Sequence, residues 1–380
     1  MHLATVHIMP TGMPAADAAA KPRDPARLTE LGVRVNHALE SFLDRAGPVV
    51  TRIGPELEPV TAATREFVLA GGKRLRPAFC YWGWRGAGAA DSDGVLQAAA
   101  SLELLHACAL IHDDVMDASD TRRDRPSTHR QFADLHLKGG WRGDPESFGA
   151  SAAILLGDLC LVWADQMFGE CGLDPAAIDR ARGIYAEMRV ELMAGQYLDV
   201  LASVLREPDS AAGIERALRV ARYKSAKYTI ERPLQLGGAL AGAPAGLLTA
   251  YSAYGLPLGE AFQLRDDILG VFGDPALTGK PAGDDLREGK RTALVTLAEQ
   301  RAEPAAAAQL SALLGDPDLD AAGVATCRQV ISECGALAEV EELIVRRGAQ
   351  AREALDAPTL DHAARRSLEA LAAAVTDRIG

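Results

Sequence analysis

The stretch LQAAASLELLHACALIHDDVMD, residues 96–117, decides the fold. Its apolar residues recur three and four positions apart, which is the spacing of one face of an α-helix. The same spacing recurs in residues 29–47, 151–170 and 173–207, and we find no cluster of β-branched and aromatic residues that alternates as a strand does. We therefore predict an all-α protein.

Composition narrows the partners that the chain binds. The 380 residues include 40 Lys and Arg against 52 Asp and Glu, so the formal net charge is −12 at pH 7. A nucleic-acid-binding protein carries a basic footprint, and we expect no nucleic-acid partner. The 6 cysteines include no C-x-x-C pair, which argues against a disulfide framework or a zinc site and favours reduced thiols in the cytoplasm.

The chain is expected to hold one domain. Residues 1–25 show neither a basic start nor a continuous apolar core, so we predict a flexible tail rather than a secretory signal, followed by a helical domain over 26–380. The longest uncharged run, residues 236–259, contains Pro244 and Pro257 and is only weakly apolar. We predict a buried pair of helices that breaks at GAPAG, and no transmembrane segment.

The helix at 96–117 ends in an acidic motif. Asp113 and Asp117 are four residues apart, so their carboxylates share one helix face, and Asp114 lies beside them. Without a cation these charges repel one another, and Mg²⁺ characteristically binds one or two carboxylates together with substrate phosphates. Taken alone, the motif fits a solvated helix end equally well.

A second acidic pair favours the metal. Asp266 and Asp267 lie in the apolar segment AFQLRDDILGVF, with Gln263 one turn earlier on the same face. Because the neighbouring side chains are hydrophobic, we expect the carboxylates to face a cavity rather than open solvent.

Basic residues point to anionic substrates. The segments GGKRLRP (71–77) and TRRDRP (121–126) supply lysine and arginine groups, and Lys224, Lys280 and Lys290 lie near or within the later motifs. Arginine offers a planar fork that suits phosphate oxygens, whereas lysine acts as a point charge. Together with His106, they describe two anion pockets, one bridged to carboxylates through Mg²⁺ and one bound directly by cationic side chains.

These motifs resemble those of the trans-prenyltransferases, or polyprenyl diphosphate synthases. GGKRLRP, HACALIHDDVMDASDTRR, YKSAKYTIERP, FQLRDDILG and TGKPAGDDLREGKRT occur in that family's order across about residues 70–292. The resemblance implies a single bundle of long helices around a deep central apolar cavity (the isoprenoid synthase type I fold) and a homodimer. It also implies that isopentenyl diphosphate is condensed with an allylic diphosphate to a product five carbons longer.

The resemblance assigns roles to individual residues. The expected Mg²⁺ ligands are Asp113, Asp117 and Asp266, with Asp114 and Asp267 in support, and three ions are expected with substrate bound. The expected contacts to isopentenyl diphosphate are Lys73, Arg76, His106 and Arg123. The expected contacts to the allylic diphosphate are Arg122, Lys224 and Lys280. Ser225 and Gln263 are expected to face the developing cation, and the expected catalytic set is Asp113, Asp117, Lys224, Gln263 and Asp266.

Three positions depart from the family's pattern. Gly270 stands where many members have the last acid of the second motif, so one outer carboxylate is lost. Asp124 replaces a usual glycine and Ser127 a usual threonine. We expect Asp124 to pair with Arg123 or Arg125 and to weaken the isopentenyl diphosphate pocket.

The product length is argued from the helix that leads away from Asp113. Positions four, five and eight before it are Ala109, Cys108 and Leu105. None is aromatic, so the cavity is expected to remain open beyond fifteen carbons, and we predict geranylgeranyl diphosphate as the product. Two alternatives remain: a class I terpene cyclase, and a non-catalytic regulatory subunit of a prenyltransferase.

Overall fold

The computed structural model describes residues 25–205, 210–274, 283–356 and 360–376. Nearly all of these residues lie in helices, and the strands in this part of the chain form one short hairpin. The predicted all-α class is confirmed. Residues 1–24, most of the expected tail, lie outside the described residues, so the division into a tail and a domain stays a prediction.

The helices follow one another with short connections. In chain order the helices are α1 (Pro25–Thr51), α2 (Glu58–Leu69), α3 (Leu75–Gly86), α4 (Asp93–Met116), α5 (Thr128–Gly139), α6 (Pro145–Gly169), α7 (Pro175–Val204), α8 (Ser210–Val220), α9 (Arg232–Leu240), α10 (Ala245–Phe272), α11 (Asp284–Arg287), α12 (Ala293–Arg301), α13 (Pro304–Leu313), α14 (Ala321–Glu333), α15 (Ala336–Ala354) and α16 (His362–Thr376). A 3₁₀ turn (Pro55–Leu57) precedes α2, a π-helical segment (Ala221–Glu231) joins α8 to α9, and strands β1 (Thr121–Arg122) and β2 (Arg125–Pro126) pair antiparallel.

Side-chain caps fix the starts of the long helices. Ser92, Asp144 and Asp174 each accept a hydrogen bond from a backbone N–H in the first turn of α4, α6 and α7 respectively. These bonds satisfy donors that have no partner inside the helix. The predicted break at GAPAG is also confirmed, because α9 ends at Leu240 and α10 begins at Ala245.

Two hydrophobic clusters hold the bundle together, and α10 contributes to both. The larger cluster surrounds α4 and includes Leu102, Leu105 and Tyr254. The smaller one packs the end of α10, through residues such as Leu264 and Ile268, against the C-terminal helices. The acidic pair of α10 therefore lies among residues of the smaller cluster.

One stripe of α4 remains partly accessible although most of the helix is buried. His106, Ala109, Leu110 and Asp113 are half-buried and share a helix face, whereas Leu105 and Cys108 are fully buried. This partly accessible stripe ends at the first acidic motif.

Among the residues that the structure describes, two helices, α4 and α6, are long and apolar enough to span a membrane. The apolar window of α4 is 72% buried inside the protein and that of α6 is 39% buried. The core helix of a folded bundle passes the same test, so two such helices are weak evidence for a membrane. The run at 236–259, split between α9 and α10, is not among them.

Glycines position the π-helical segment. A Cβ at Gly195 of α7 would lie 2.4 Å from the backbone nitrogen of Lys224, and one at Gly259 of α10 would lie 2.5 Å from Cα of Ala226. Two helices therefore approach the backbone of this segment from either side. π-Helical turns are rare and are frequently found at functional sites, and this segment carries Lys224 and Ser225.

Candidate active site

Asp113 lies at the centre of a charged network. Its Oδ1 accepts hydrogen bonds from Lys224 Nζ at 3.0 Å and from Gln196 Nε2 at 2.8 Å. Lys224 Nζ also donates to Asp199 Oδ2 at 2.6 Å. The structure thus joins the first acidic motif to α7 and to the π-helical segment through one lysine.

Asp114 points away from that network and is fully buried. Its Oδ1 accepts a hydrogen bond from Arg122 Nε at 2.8 Å, and Arg122 lies 3.7 Å from Asp113 Oδ2. Arg122 sits on β1, whose hairpin therefore packs its guanidinium against the end of α4. Asp114 serves to hold Arg122 beside Asp113.

Lys290 links the first acidic motif to the segment that follows α11. Its Nζ lies 2.9 Å from Asp117 Oδ2, 2.5 Å from Glu288 Oε2 and 3.9 Å from Asp285 Oδ1. Lys290 thus lies between the carboxylates of Asp117 and Asp285 and is within ion-pair distance of both. Ser119 Oγ donates to Glu288 at 2.9 Å and ties the two segments together again.

The second acidic motif faces the same region. Gln263 Nε2 donates to Asp267 Oδ1 at 2.7 Å, one turn along α10, as the predicted shared face requires. Asp267 is buried and Asp266 is half-buried. Burial and the neighbouring carboxylates of Asp285, Asp266 and Asp199 raise the pKa of Asp267 to about 8. Asp267 therefore lies near Asp199 and Asp285, which contact Lys224 and Lys290 beside the first motif.

The carboxylates of the first motif titrate differently. Burial raises the pKa of Asp117 to about 6, helped by Asp113 and Glu288 and opposed by Lys290. Burial also acts upward on the pKa of Asp113, but Lys224, Lys290 and Arg122 outweigh it and lower that pKa well below its usual range. For Lys224, burial acts downward and the two carboxylates it contacts raise its pKa.

This arrangement fits a divalent cation in its chemistry. The candidate ligands are all carboxylate oxygens, which suit Mg²⁺. The pKa values of Asp117 and Asp267 are raised because both carboxyl groups are buried and lie near other negative charges. Within the described ranges, no three acidic, histidine or cysteine side chains converge as a ready-made metal cluster. Lys224 and Lys290 lie between the carboxylates and neutralise them instead.

A basic pocket lies beside α4, about two turns before the first acidic motif. Arg76 donates to Thr229 Oγ1 at 2.9 Å, and its guanidinium carbon lies 4.3 Å from the ring centre of Tyr228. The ring of His106 is 6.2 Å from that of Tyr228. His106 Nδ1, Arg76 Nε and the Tyr228 hydroxyl are buried without a hydrogen-bond partner in the described structure, so the pocket offers polar groups to a ligand.

Charge in this pocket keeps His106 neutral. Burial lowers the pKa of His106, and the guanidinium groups of Arg76 and Arg123 lower it further. Arg123 reaches the pocket from the tip of the hairpin and donates to the carbonyl oxygen of Gly71 at 3.2 Å. Three of the four residues expected to contact isopentenyl diphosphate are thus close together.

The remaining basic residues are placed differently. Lys73 is exposed at the turn that leads into α3, and Ser225 is buried in the π-helical segment. Arg74, which belongs to the same motif as Lys73, is buried and donates to Glu103, Asn36 and the carbonyl oxygen of Val68. These hydrogen bonds of Arg74 stabilise the turn. Lys280 lies outside the described residues.

The pairing expected for Asp124 is wrong. Arg123 and Asp124 have φ values of 54° and 60° and form the two-residue loop of the hairpin, a type I′ turn in which both positions need positive φ. This geometry turns Asp124 into solvent. Arg125 pairs with Glu66, and no ion pair of Asp124 appears in the described part of the chain. Ser127 Oγ contacts His129 Nδ1 at 3.1 Å in a buried position.

Sequence reasoning missed several residues of the site. Gln196 and Asp199 come from α7, where a single Gln and a single Asp in GQYLD gave no acidic pattern to notice. Tyr228 lies inside the motif YKSAKYTIERP but was given no role. Glu288 and Asp285 lie inside TGKPAGDDLREGKRT, and only their contacts with Lys290 identify them.

The fold and the charged side chains define a class of protein: a helical bundle that carries two acidic motifs and a basic pocket beside an apolar interior. The sequence pattern of the polyprenyl synthetase family matches residues 58–331, and the chain belongs to this family. It is therefore a prenyltransferase, as its motifs predicted.

Three known proteins show how close the similarity is. Geranylgeranyl pyrophosphate synthase from Corynebacterium glutamicum, solved with isoprenyl diphosphate and magnesium, is 42% identical with a TM-score of 0.89, over 93% of this chain and 99% of that one. Geranylfarnesyl diphosphate synthase of Aeropyrum pernix is 35% identical over 64% of this chain and 71% of its own length. Geranylgeranyl diphosphate synthase of Methanosarcina mazei is 30% identical over 79% and 86% respectively.

Proposed function

We propose that the protein is a Mg²⁺-dependent, chain-elongating prenyltransferase that condenses isopentenyl diphosphate with an allylic diphosphate to form geranylgeranyl diphosphate. The observation that carries this proposal is the charged network in which Lys224 and Lys290 join Asp113 and Asp117 to Asp199 and Asp285. Asp199 and Asp285 lie near Asp267 of the second motif, and the basic pocket of Arg76 and His106 lies two turns before Asp113 along α4. An enzyme that condenses two diphosphates needs two neighbouring sites that each bind an anionic group.

The acidic side of the site is proposed to hold the allylic diphosphate. Asp113, Asp117 and Asp266 are the candidate Mg²⁺ ligands, with three ions bound alongside substrate, and bound Mg²⁺ would offset the negative charge of the leaving diphosphate. Arg122 and Lys224 then contact the diphosphate oxygens, with Lys280 as a further proposed contact. Asp114 and Asp267 support this set from buried positions.

The basic side is proposed to hold isopentenyl diphosphate through Lys73, Arg76, His106 and Arg123. Neutral His106 donates one hydrogen bond without adding charge, while the two guanidinium groups form charge-assisted bonds to the diphosphate. Gln263 and Ser225 face the space between the two substrates, where positive charge develops on the allylic carbon. Buried apolar side chains around α4 keep water from that carbon.

The proposed product length depends on the accessible stripe of α4. Ala109 is half-buried four residues before Asp113, so a growing chain meets a methyl group there rather than an aromatic floor. Leu105 and Cys108 are fully buried behind it and set the shape of the wall. Relatives are named for farnesyl, geranylgeranyl and nonaprenyl diphosphates alike, so the proposed length rests on this stripe of α4.

A second copy of the chain is the proposed partner, because apolar side chains form an exposed face on α6 and α7. Leu155, Val162, Val190 and Tyr197 each expose more than 60% of their surface. Large apolar side chains that are exposed next to one another favour an interaction surface. Sedimentation velocity tests the homodimer, and a purely monomeric species would contradict it. With its reduced cysteines, the enzyme is proposed to work in the cytoplasm.

One incubation separates this function from its alternatives. The purified protein is supplied with Mg²⁺, isopentenyl diphosphate and, in turn, dimethylallyl, geranyl or farnesyl diphosphate, and the products are sized by chromatography. A twenty-carbon diphosphate supports the proposal. A hydrocarbon formed without isopentenyl diphosphate would identify a terpene cyclase, and a lack of turnover would favour a regulatory subunit.

A further inference from the structure

The carboxylate that the second acidic motif lacks at Gly270 has a counterpart in space. A Cβ built on Gly270 would lie 1.9 Å from Oδ2 of Asp285 and 2.4 Å from its Cγ. The carboxyl group of Asp285 therefore lies directly against α10 at the point where a side chain of residue 270 would begin. Only a glycine leaves room for it.

This position belongs to the face that carries the rest of the motif. Residue 270 is one turn after Asp266, so a group resting on Gly270 is presented beside that side chain. Asp285 is buried, with 9% of its surface exposed. It also lies 3.9 Å from Lys290, which contacts Asp117 of the first motif.

We propose that Asp285 supplies the third carboxylate of the second acidic motif, and that Gly270 is the residue that admits it. The inference rests on the proposed Mg²⁺–diphosphate site. Asp285 acts there either through a water molecule on the ion or by direct contact, in both cases as part of the carboxylate set that receives the metal complex of the diphosphate.

The experiment measures binding of Mg²⁺ with inorganic pyrophosphate by isothermal titration calorimetry, so its result does not depend on turnover. Asp285→Asn keeps the size of the side chain and removes its charge, and we expect at least tenfold weaker binding. Asp284→Asn, next to it in the same helical turn, removes the same charge and is expected to stay within about twofold of the wild type, because only Asp285 rests on Gly270.

A second set of variants exchanges the residues at positions 270 and 285. Gly270→Asp alone forces two carboxyl groups into one space and is expected to weaken binding and lower the melting temperature. Gly270→Asp combined with Asp285→Gly moves the carboxylate onto α10 and is expected to recover most of the binding.

The outcomes separate this inference from the function it rests on. If the wild type binds Mg²⁺–pyrophosphate and Asp285→Asn binds it equally well, or if Asp284→Asn loses as much, the assignment of Asp285 is overturned while the proposed function stands. If the wild type itself does not bind, the proposed diphosphate site is overturned and the inference falls with it.

Discussion

The contact between α7 and the π-helical segment offers the sharpest test of how the site is positioned. Gly195 of α7 faces the backbone of Lys224, whose ammonium group joins Asp113 to Asp199. In Gly195→Ala, the new methyl group would lie 2.4 Å from Lys224 N and 2.6 Å from Tyr223 C. Both are backbone atoms, so neither can move aside by changing a rotamer.

The size of the effect follows from these distances. Ordinary van der Waals contact begins near 3.4 Å, so the two elements must separate by about 1 Å, a displacement that can lower the rate about 100-fold when it misplaces a catalytic group. Overpacking of this kind costs about 1–3 kcal/mol of unfolding free energy. We expect kcat to fall far more than KM changes, because Lys224 loses its alignment while the basic pocket remains.

Gly183→Ala provides the matched control on the same helix. A Cβ at Gly183 meets nothing within 4 Å, so alanine there is expected to raise the unfolding free energy by about 0.5–1 kcal/mol through helix propensity alone. Steady-state kinetics measures kcat and KM of both variants, and urea unfolding measures their unfolding free energies. If Gly195→Ala is as active as Gly183→Ala and equally stabilised, the close approach of α7 does not position Lys224, and the argument is refuted.

Three further predictions address other parts of the site. Ala109→Phe is expected to shorten the product by one or more five-carbon units, because the ring closes the accessible stripe of α4; an unchanged product on chromatography contradicts it. Asp124→Gly should raise the unfolding free energy by about 1 kcal/mol, since glycine adopts positive φ without strain, and a loss of stability on urea unfolding would count against the type I′ turn. Burial and neighbouring acids raise the pKa of Asp267 to about 8 and of Asp117 to about 6, so the metal-free protein should lose stability as the pH rises from 5 to about 8.5. Bound Mg²⁺ takes the place of the protons on Asp117 and Asp267, so the increase in melting temperature that Mg²⁺ causes should grow over the same pH range. An increase that does not depend on pH would contradict this prediction.

The parts of the site that could be predicted from sequence are those that carry a local pattern. Four-residue spacing placed Asp113 and Asp117 on one face of α4, and the same rule placed Gln263 against Asp267, which the structure confirms as a hydrogen bond. The break between α9 and α10 followed from proline and glycine chemistry. Each of these features depends only on residues within one turn of one another.

The parts that could not be predicted depend on packing between distant segments. Asp199 reaches the site because Gly195 lets α7 approach the π-helical segment, and neither residue signals this alone. The same holds for Asp285, which fills a space that the sequence presents only as the loss of an acid at Gly270. Asp124 was expected to pair with an arginine, but hairpin geometry directs it to solvent, and turn type depends on both strands together.

The most direct test of the central claim is a crystal structure of the protein with Mn²⁺ and inorganic pyrophosphate, with the metal located by anomalous scattering. We expect metal peaks on both sides of one pyrophosphate, coordinated by Asp113 and Asp117 on one side and by Asp266 on the other, with Lys224 and Lys290 displaced onto phosphate oxygens. Peaks confined to one acidic motif, or a pyrophosphate bound away from both, would contradict it.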